Sequence, residues 1–204
     1  MLTHLRPALV ILGILTLLTG VIYPLAITGL AQIAMPYAAN GSLVRRGGVA
    51  VGSVLIGQQF STERYFHGRP SATSAPDPKD QTKTVDAPYN AGNSAGSNLG
   101  PLSKKLIERV QADSDALRKS TGAVIAPADA VTASASGLDP HISPAFAALQ
   151  ISRIAAARGV PEARVGQVLQ SHIEPPLLGI FGEPRVNVLA LNLALDSLVP
   201  PGSG

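Results

Sequence analysis

Hydroxyl, carboxylate and imidazole groups cluster at a few places along this 204-residue chain, and each cluster allows a different chemistry. Gly92-Asn93-Ser94-Ala95-Gly96 has the G-x-S-x-G spacing of a hydrolase nucleophile elbow, and Asp139 followed by His141 or His172 gives the chain order of the matching triad. An elbow needs a buried strand before the Ser and a helix after it. Ala87-Pro88-Tyr89-Asn90 is no core strand, so a Gly-rich turn is the simpler reading and a tethered serine hydrolase using Ser94 is the distant one. The densest polar segment is Ser136-Gly137-Leu138-Asp139-Pro140-His141-Ile142-Ser143-Pro144. There Asp139 and His141 could bond each other, help to cap the next helix, or bind a ligand. His172-Ile173-Glu174 offers two metal ligands without a third, so no metal site is expected. Gln150 and Arg153, one helical turn apart, read as packed or solvated polar residues. Gly182-Glu183-Pro184-Arg185 reads as a turn with a Glu183–Arg185 ion pair.

Other chemistries are excluded by what is missing. There is no G-x-x-x-x-G-K-[ST] phosphate loop, no Asp-Lys-Thr-Gly run to be phosphorylated, and no Thr-Val-Gly-Tyr-Gly carbonyl filter. Cysteine is absent, which removes disulfides, thiolate metal sites and thiol nucleophiles. The net charge of +3, from 16 Lys and Arg against 13 Asp and Glu, is too thin and dispersed for nucleic-acid binding.

The elements that must position these residues begin with a membrane anchor. No charged residue occurs between Arg6 and Arg45. Residues 8–30 are long enough to cross a bilayer core, which takes about 20 apolar residues. A signal peptide is the rival, but its apolar region runs about 7–15 residues, shorter than this one. Tyr23 suits the interface, Pro24 should disturb the helix, and Thr hydroxyls can bond back to it. The expected order is residues 1–7 in the cytoplasm, the span 8–30, a linker 31–44 and one α+β domain over 45–204. Arg6 and the terminal amine favour a cytoplasmic N-terminus only weakly, because Arg45 and Arg46 lie beyond the other end.

Within the domain, Val49, Val51, Val54 and Ile56 suggest one or two short strands broken by Gly52. A long polar stretch, 61–101, follows. Ser103 can cap a helix carrying Leu106, Ile107, Val110 and Leu117, with Gly122 past its end. Ser143-Pro144 opens a helix through Arg158 that Gly159 stops, and Pro161-Glu162 opens another. From Arg185 the alternation of Asn187, Leu189, Leu191, Leu193 and Leu195 reads as a strand, with a helix over 189–198 as the alternative.

Taken together, these segments resemble the C subunit of the Kdp potassium-transporting ATPase, the KdpC family. The resemblance is carried by the anchor with Tyr23-Pro24, Leu55-Ile56-Gly57-Gln58 with Phe60, Tyr65-Phe66 with Arg69-Pro70-Ser71-Ala72, Tyr89-Asn90, and Gly96-Ser97-Asn98-Leu99-Gly100-Pro101. It continues through Val131-Thr132, the Ser136–Pro144 run, Gln150 with Arg153, and Gly182-Glu183-Pro184-Arg185-Val186-Asn187-Val188-Leu189. Ala135 replaces a usual Gly, Ile173 a common Thr, and Pro175-Pro176 is an extra stretch. The resemblance implies a subunit without catalytic residues or intrinsic cofactor. It would sit in a bacterial inner membrane with its domain outside, in a complex that imports K⁺ at the expense of ATP. The implied partners are a channel-like A subunit, an ATP-hydrolysing P-type B subunit and a small F peptide. The family is described as a catalytic chaperone that raises the ATP affinity of the B subunit; an extracytoplasmic cap over the K⁺ entrance of the A subunit is the alternative. Should nucleotide bind this chain, the candidate residues are Ser136, Gly137, Asp139, His141, Ser143 and Gln150. For the partner or ion-entrance surface they are Tyr89, Asn90, Ser97, Asn98, Gly100, Glu183, Arg185 and Asn187.

Overall fold

The computed structural model describes residues 2–198 and divides into two compact units, Met1–Ser53 and Val54–Gly204. The first unit opens with α1 (Leu2–Leu17), a π-helical turn (Leu18–Ile22) and α2 (Tyr23–Ala34), which run on as one helix. Over Thr3–Ala34 it is long and apolar enough to cross a membrane, and its most apolar window, of mean hydropathy 2.3, has no side chain buried within the chain. At about 1.5 Å per residue it exceeds a hydrocarbon core of about 30 Å, so the helix reaches beyond both ends of the 8–30 run. Pro24 has no N–H to give to Gly20. The helix answers with a wider turn in which Tyr23 N–H donates to the Leu18 carbonyl, five residues back. Thr19 Oγ1 also bonds back, to the Leu15 carbonyl at 2.7 Å. The short α3 (Pro36–Ala39) follows, and then a hairpin of β1 (Leu43–Arg46) and β2 (Val49–Ser53). Its turn holds Gly47 and Gly48 at φ +58° and +85°, the two left-handed positions that a tight hairpin turn requires. Of the residues expected in strands, Val49 and Val51 lie in β2, Val54 and Ile56 lie past its end, and the partner strand comes from 43–46, earlier than expected.

The second unit is α+β. The polar stretch is not structureless: β3 (Ser74–Asp77) pairs with β4 (Asp80–Asp86) in an antiparallel hairpin. Then come α4 (Lys104–Thr121), α5 (Ala128–Val131), β5 (His141–Ile142), α6 (Pro144–Leu149), α7 (Ile151–Arg158), α8 (Glu162–Ser171), β6 (Ile173–Glu174), β7 (Arg185–Asn187) and α9 (Val188–Leu198). Gly122 and Gly159 end α4 and α7 in the left-handed conformation. Ser103 precedes α4 without a side-chain capping bond, whereas Ser143 Oγ accepts from Phe146 N–H and does cap α6. The helix expected from Ser143 to Arg158 is broken at Gln150, whose N–H turns back to the Ala147 carbonyl three residues away and tightens the junction.

The reading of 185–195 as a strand is corrected. Only Arg185–Asn187 is extended, and α9 takes the rest. Nearly every residue there is apolar, so both periods fit; Val188, Leu189, Leu191, Asn192 and Leu195 are the residues the helix buries. The helix begins where it does because Asn187 Oδ1 accepts the Ala190 N–H at 3.1 Å. The core of the unit is Phe66, Ile142, Phe146, Ile154, Val165, Leu169, Val186, Leu191 and Leu195. It lies between α6–α9 and the three-stranded antiparallel sheet β5–β7–β6, in which Val186 faces both Ile142 and Ile173.

Candidate functional site

Residues 63–67 lie along the core without regular secondary structure and send Phe66 into it, and side chains supply the hydrogen bonds that a neighbouring strand would give. Asn192, 1% exposed, accepts the Phe66 N–H at 2.8 Å and donates to the Phe66 carbonyl at 2.9 Å. Gln150, 3% exposed, treats His67 the same way, at 2.8 and 3.2 Å. Arg153 donates to the carbonyls of Glu63 and Tyr65 and to Gln150 Oε1. Arg158, buried, donates to the carbonyls of Arg64 and Leu195, pairs with Asp196 at 3.0 Å and lies 4.9 Å from the Tyr65 ring centre. Gln150 and Arg153 are therefore one clamp, not solvated residues.

Two residues beyond the clamp, Arg69 opens onto a cleft of about 640 Å³ between the start of β5, the end of β6 and the turn before β7. Arg69 Nη1 meets Asp139 Oδ2 at 2.9 Å, while Asp139 Oδ1 accepts the His141 N–H at 2.9 Å and lies 3.6 Å from the His141 ring. Glu174 is 3.9 Å from the other side of that ring and 3.0 Å from Arg185 Nε. The Glu183–Arg185 pair is thus replaced by Glu174–Arg185, because pairing of β6 with β7 sets Glu174 opposite Arg185. Asp129 accepts both the N–H and the hydroxyl of Ser143, at 2.6 and 2.9 Å, so Asp129 buttresses the cap and Asp139 does not. Burial pushes the Asp139 carboxyl up, but bonds from the His141 ring and backbone and from Arg69 outweigh it and hold Asp139 below the usual carboxylate range.

On another side of Asp139 three loops are knotted together. Ser71 Oγ donates to the Gly137 carbonyl and accepts the Tyr89 N–H. Thr73, 1% exposed, donates to the Ala87 carbonyl and accepts the Asn90 N–H. Asn90 Nδ2 reaches the Ser74 carbonyl at 2.8 Å. Tyr89 sits at φ +60° and donates to the Arg69 carbonyl at 2.8 Å. Burial and the nearby Asp139 push its phenol up to about 12, against the opposing effect of Arg69. Gly137, at φ +67°, has no room for a Cβ, which would stand 2.5 Å from Thr73 Cγ2 and 2.7 Å from the Ala95 carbonyl. Ser94 Oγ donates to the Ser136 carbonyl at 3.0 Å, between a strand that ended at Asp86 and a helix that starts at Lys104. The G-x-S-x-G run is therefore a surface turn and not an elbow.

Of the residues expected to hold nucleotide, Asp139, His141 and Ser143 share the cleft. Ser136 and Gly137 belong to the loop knot, and Gln150 is buried in the clamp. Of those expected on a docking surface, Glu183 and Arg185 line the cleft and Ser97, Asn98 and Gly100 are exposed. Tyr89 and Asn90 direct their bonds inward, and Asn187 is buried, capping α9 and donating to the Val54 carbonyl. His172 Nδ1 lies 2.8 Å from the Val168 carbonyl, and no group of three or more potential metal ligands occurs among the described residues. Arg69 and Asn192 entered the sequence reading only within the runs that carry the resemblance, and Asp129 and Arg158 were given no role; a lone Asn inside the apolar 188–195 run was the one available signal.

The family described as "K+-transporting ATPase, c chain" (KdpC) matches residues 5–197. The chain belongs to the KdpC family. Among curated proteins it is 58% identical over 200 residues to the potassium-transporting ATPase KdpC subunit of Rhodopseudomonas palustris, covering 98% of this chain and 100% of that one. It is 57% identical to that of Bradyrhizobium diazoefficiens over 196 residues, covering 96% and 98%. For Methylobacterium nodulans the identity is 59% over 198 residues, covering 97% and 98%. The KdpC match thus takes in both the apolar helix and the globular unit.

Proposed function

We propose that the chain is a non-catalytic, membrane-anchored subunit of a potassium-importing ATPase, with its globular unit outside the cytoplasm of a bacterial cell. The end-to-end match to proteins named potassium-transporting ATPase KdpC subunit carries this reading. The geometry supports it. The charged groups of the cleft face one another, and Ser94 and Ser143 are engaged in holding loops and a helix end. Such a surface suits docking to partner proteins more than chemistry. Its partners would be an ion-conducting A subunit, an ATP-hydrolysing B subunit and a small F peptide. A head outside the cytoplasm cannot touch ATP bound inside. A chaperone effect on ATP affinity would therefore reach the B subunit as a coupling free energy through the membrane helices. Full-length tagged chain, extracted from membranes in mild detergent, should co-purify with the ion-conducting and ATP-hydrolysing subunits; migration alone would overturn the reading.

A second reading, a cap over the K⁺ entrance, is favoured by the exposed Ser97 and Asn98, whose side-chain oxygens suit a cation path. If it holds, replacing Ser97 and Asn98 by Ala weakens the K⁺ affinity of the assembled complex. Unchanged affinity removes it.

A further inference from the structure

Between β6 and β7 the chain leaves the domain as Pro175-Pro176-Leu177-Leu178-Gly179-Ile180-Phe181-Gly182, a stretch without charge. The loop is closed on itself. Leu177 and Phe181 exchange both backbone hydrogen bonds, at 2.9 and 3.0 Å, Gly179 N–H donates to the Pro176 carbonyl at 2.9 Å, and Ile180 N–H to the Leu177 carbonyl at 3.3 Å. Pro175 and Pro176 have no N–H to satisfy. The loop has thus already met most of the backbone cost of entering an apolar environment. Its side chains point the other way from a folded core: Leu177, Leu178, Ile180 and Phe181 are 60–81% exposed. Leu178 is moreover held at φ +55°, a conformation that a bulky residue rarely adopts and that lifts it to the tip.

Four large apolar side chains on a closed loop form a preformed plug, with little conformational entropy left to lose on seating. The base of the plug identifies the kind of seat. Glu183, the Glu174–Arg185 pair and the cleft groups Asp129 and Arg69 ring it with both signs of charge. An anionic bilayer surface selects a Lys/Arg rim, and between Arg164 and Arg185 this chain has no Lys or Arg. An apolar centre inside a rim of mixed charge is the anatomy of a protein–protein contact. We infer that loop 175–182 is an apolar plug that seats in a hydrophobic pocket on another subunit of the potassium-transporting ATPase, with the adjoining cleft as its polar rim. The inference rests on the subunit reading given above.

The test uses full-length chain co-expressed with the other subunits. A photoreactive residue at Leu178 should crosslink to one of those subunits, identified by mass. The triple variant Leu178→Ser, Ile180→Ser, Phe181→Ser should lower the co-purified partner by about tenfold or more. Its thermal midpoint should stay at that of the unaltered chain, since none of the three packs in the core. Crosslinks to lipid or to a second copy of the chain, or no crosslink in an intact complex, overturn the plug while leaving the subunit reading standing. If the unaltered chain fails to co-purify, both fall.

Discussion

At the scale of single residues, the fold depends on two side-chain amides that act as a strand. Gln150 and Asn192 each bracket one backbone residue of 63–67, and no apolar side chain of their size can replace either bond. Gln150→Ala and Asn192→Leu should each cost about 2–4 kcal/mol, because a buried N–H and C=O are left unmet. The check is the denaturant midpoint, with the slope unchanged. His67 gives a pH signature to the same place. Burial lowers its affinity for a proton, with Arg153 adding to this and the Thr62 carbonyl and Glu63 opposing. Near pH 6 the unfolded chain therefore binds more protons than the folded one, and stability falls as pH drops through the ordinary His range of about 6.5 toward the depressed value. Asp139 adds the same sign lower down: its contribution is present above the ordinary carboxylate range and is lost as acid protonates it. Urea unfolding at pH 7.5 and 5.5 should show the loss, and His67→Gln should flatten that interval while leaving the fall at lower pH.

At the scale of elements, three helix ends followed their local signals. The Gly122 and Gly159 stops and the Ser143 cap lie where the sequence places them. Hairpin β3–β4 was illegible because Asp80–Asp86 is polar nearly throughout and lies largely exposed, so no hydrophobic alternation marks it. Its turn had a signal in Asp77-Pro78-Lys79-Asp80, where Asp77 Oδ1 accepts the Lys79 N–H at 2.8 Å. The loop knot makes a sharper prediction. Gly137→Ala combines a strained φ with a clash against Thr73 and the Ala95 carbonyl. It should cost about 3 kcal/mol or more and show as loss of cooperative thermal unfolding. Gly166→Ala in α8 meets only Ile151 Cδ1, at 3.9 Å, and should instead be tolerated or mildly stabilising.

At the scale of the whole molecule, the proposed orientation has a direct test because the chain has no cysteine. Ser97→Cys, in the exposed Gly/Asn/Ser loop, becomes the sole thiol. With the domain outside, a membrane-impermeant maleimide should label it in intact cells or spheroplasts. Labelling only after the membrane is broken would reverse the orientation. Ser97 donates no bond to the loop knot, so labelling reports topology rather than unfolding.

What could be read along the chain was whatever is written in consecutive residues: the long apolar helix, the caps and stops, and the order of motifs that marks the family. An apolar helix long enough to cross a membrane needs only an uninterrupted apolar run, and a cap needs only a side chain two or three residues from the N–H it accepts. What had to wait for the folded chain were partnerships between distant segments. Arg69 meets Asp139 across 70 residues, and Phe66 meets Asn192 across 126. The choice of helix over strand for 188–198 belongs with these. An almost wholly apolar run satisfies both periods, and the choice falls to which residues the sheet and α8 cover and to Asn187 capping the turn.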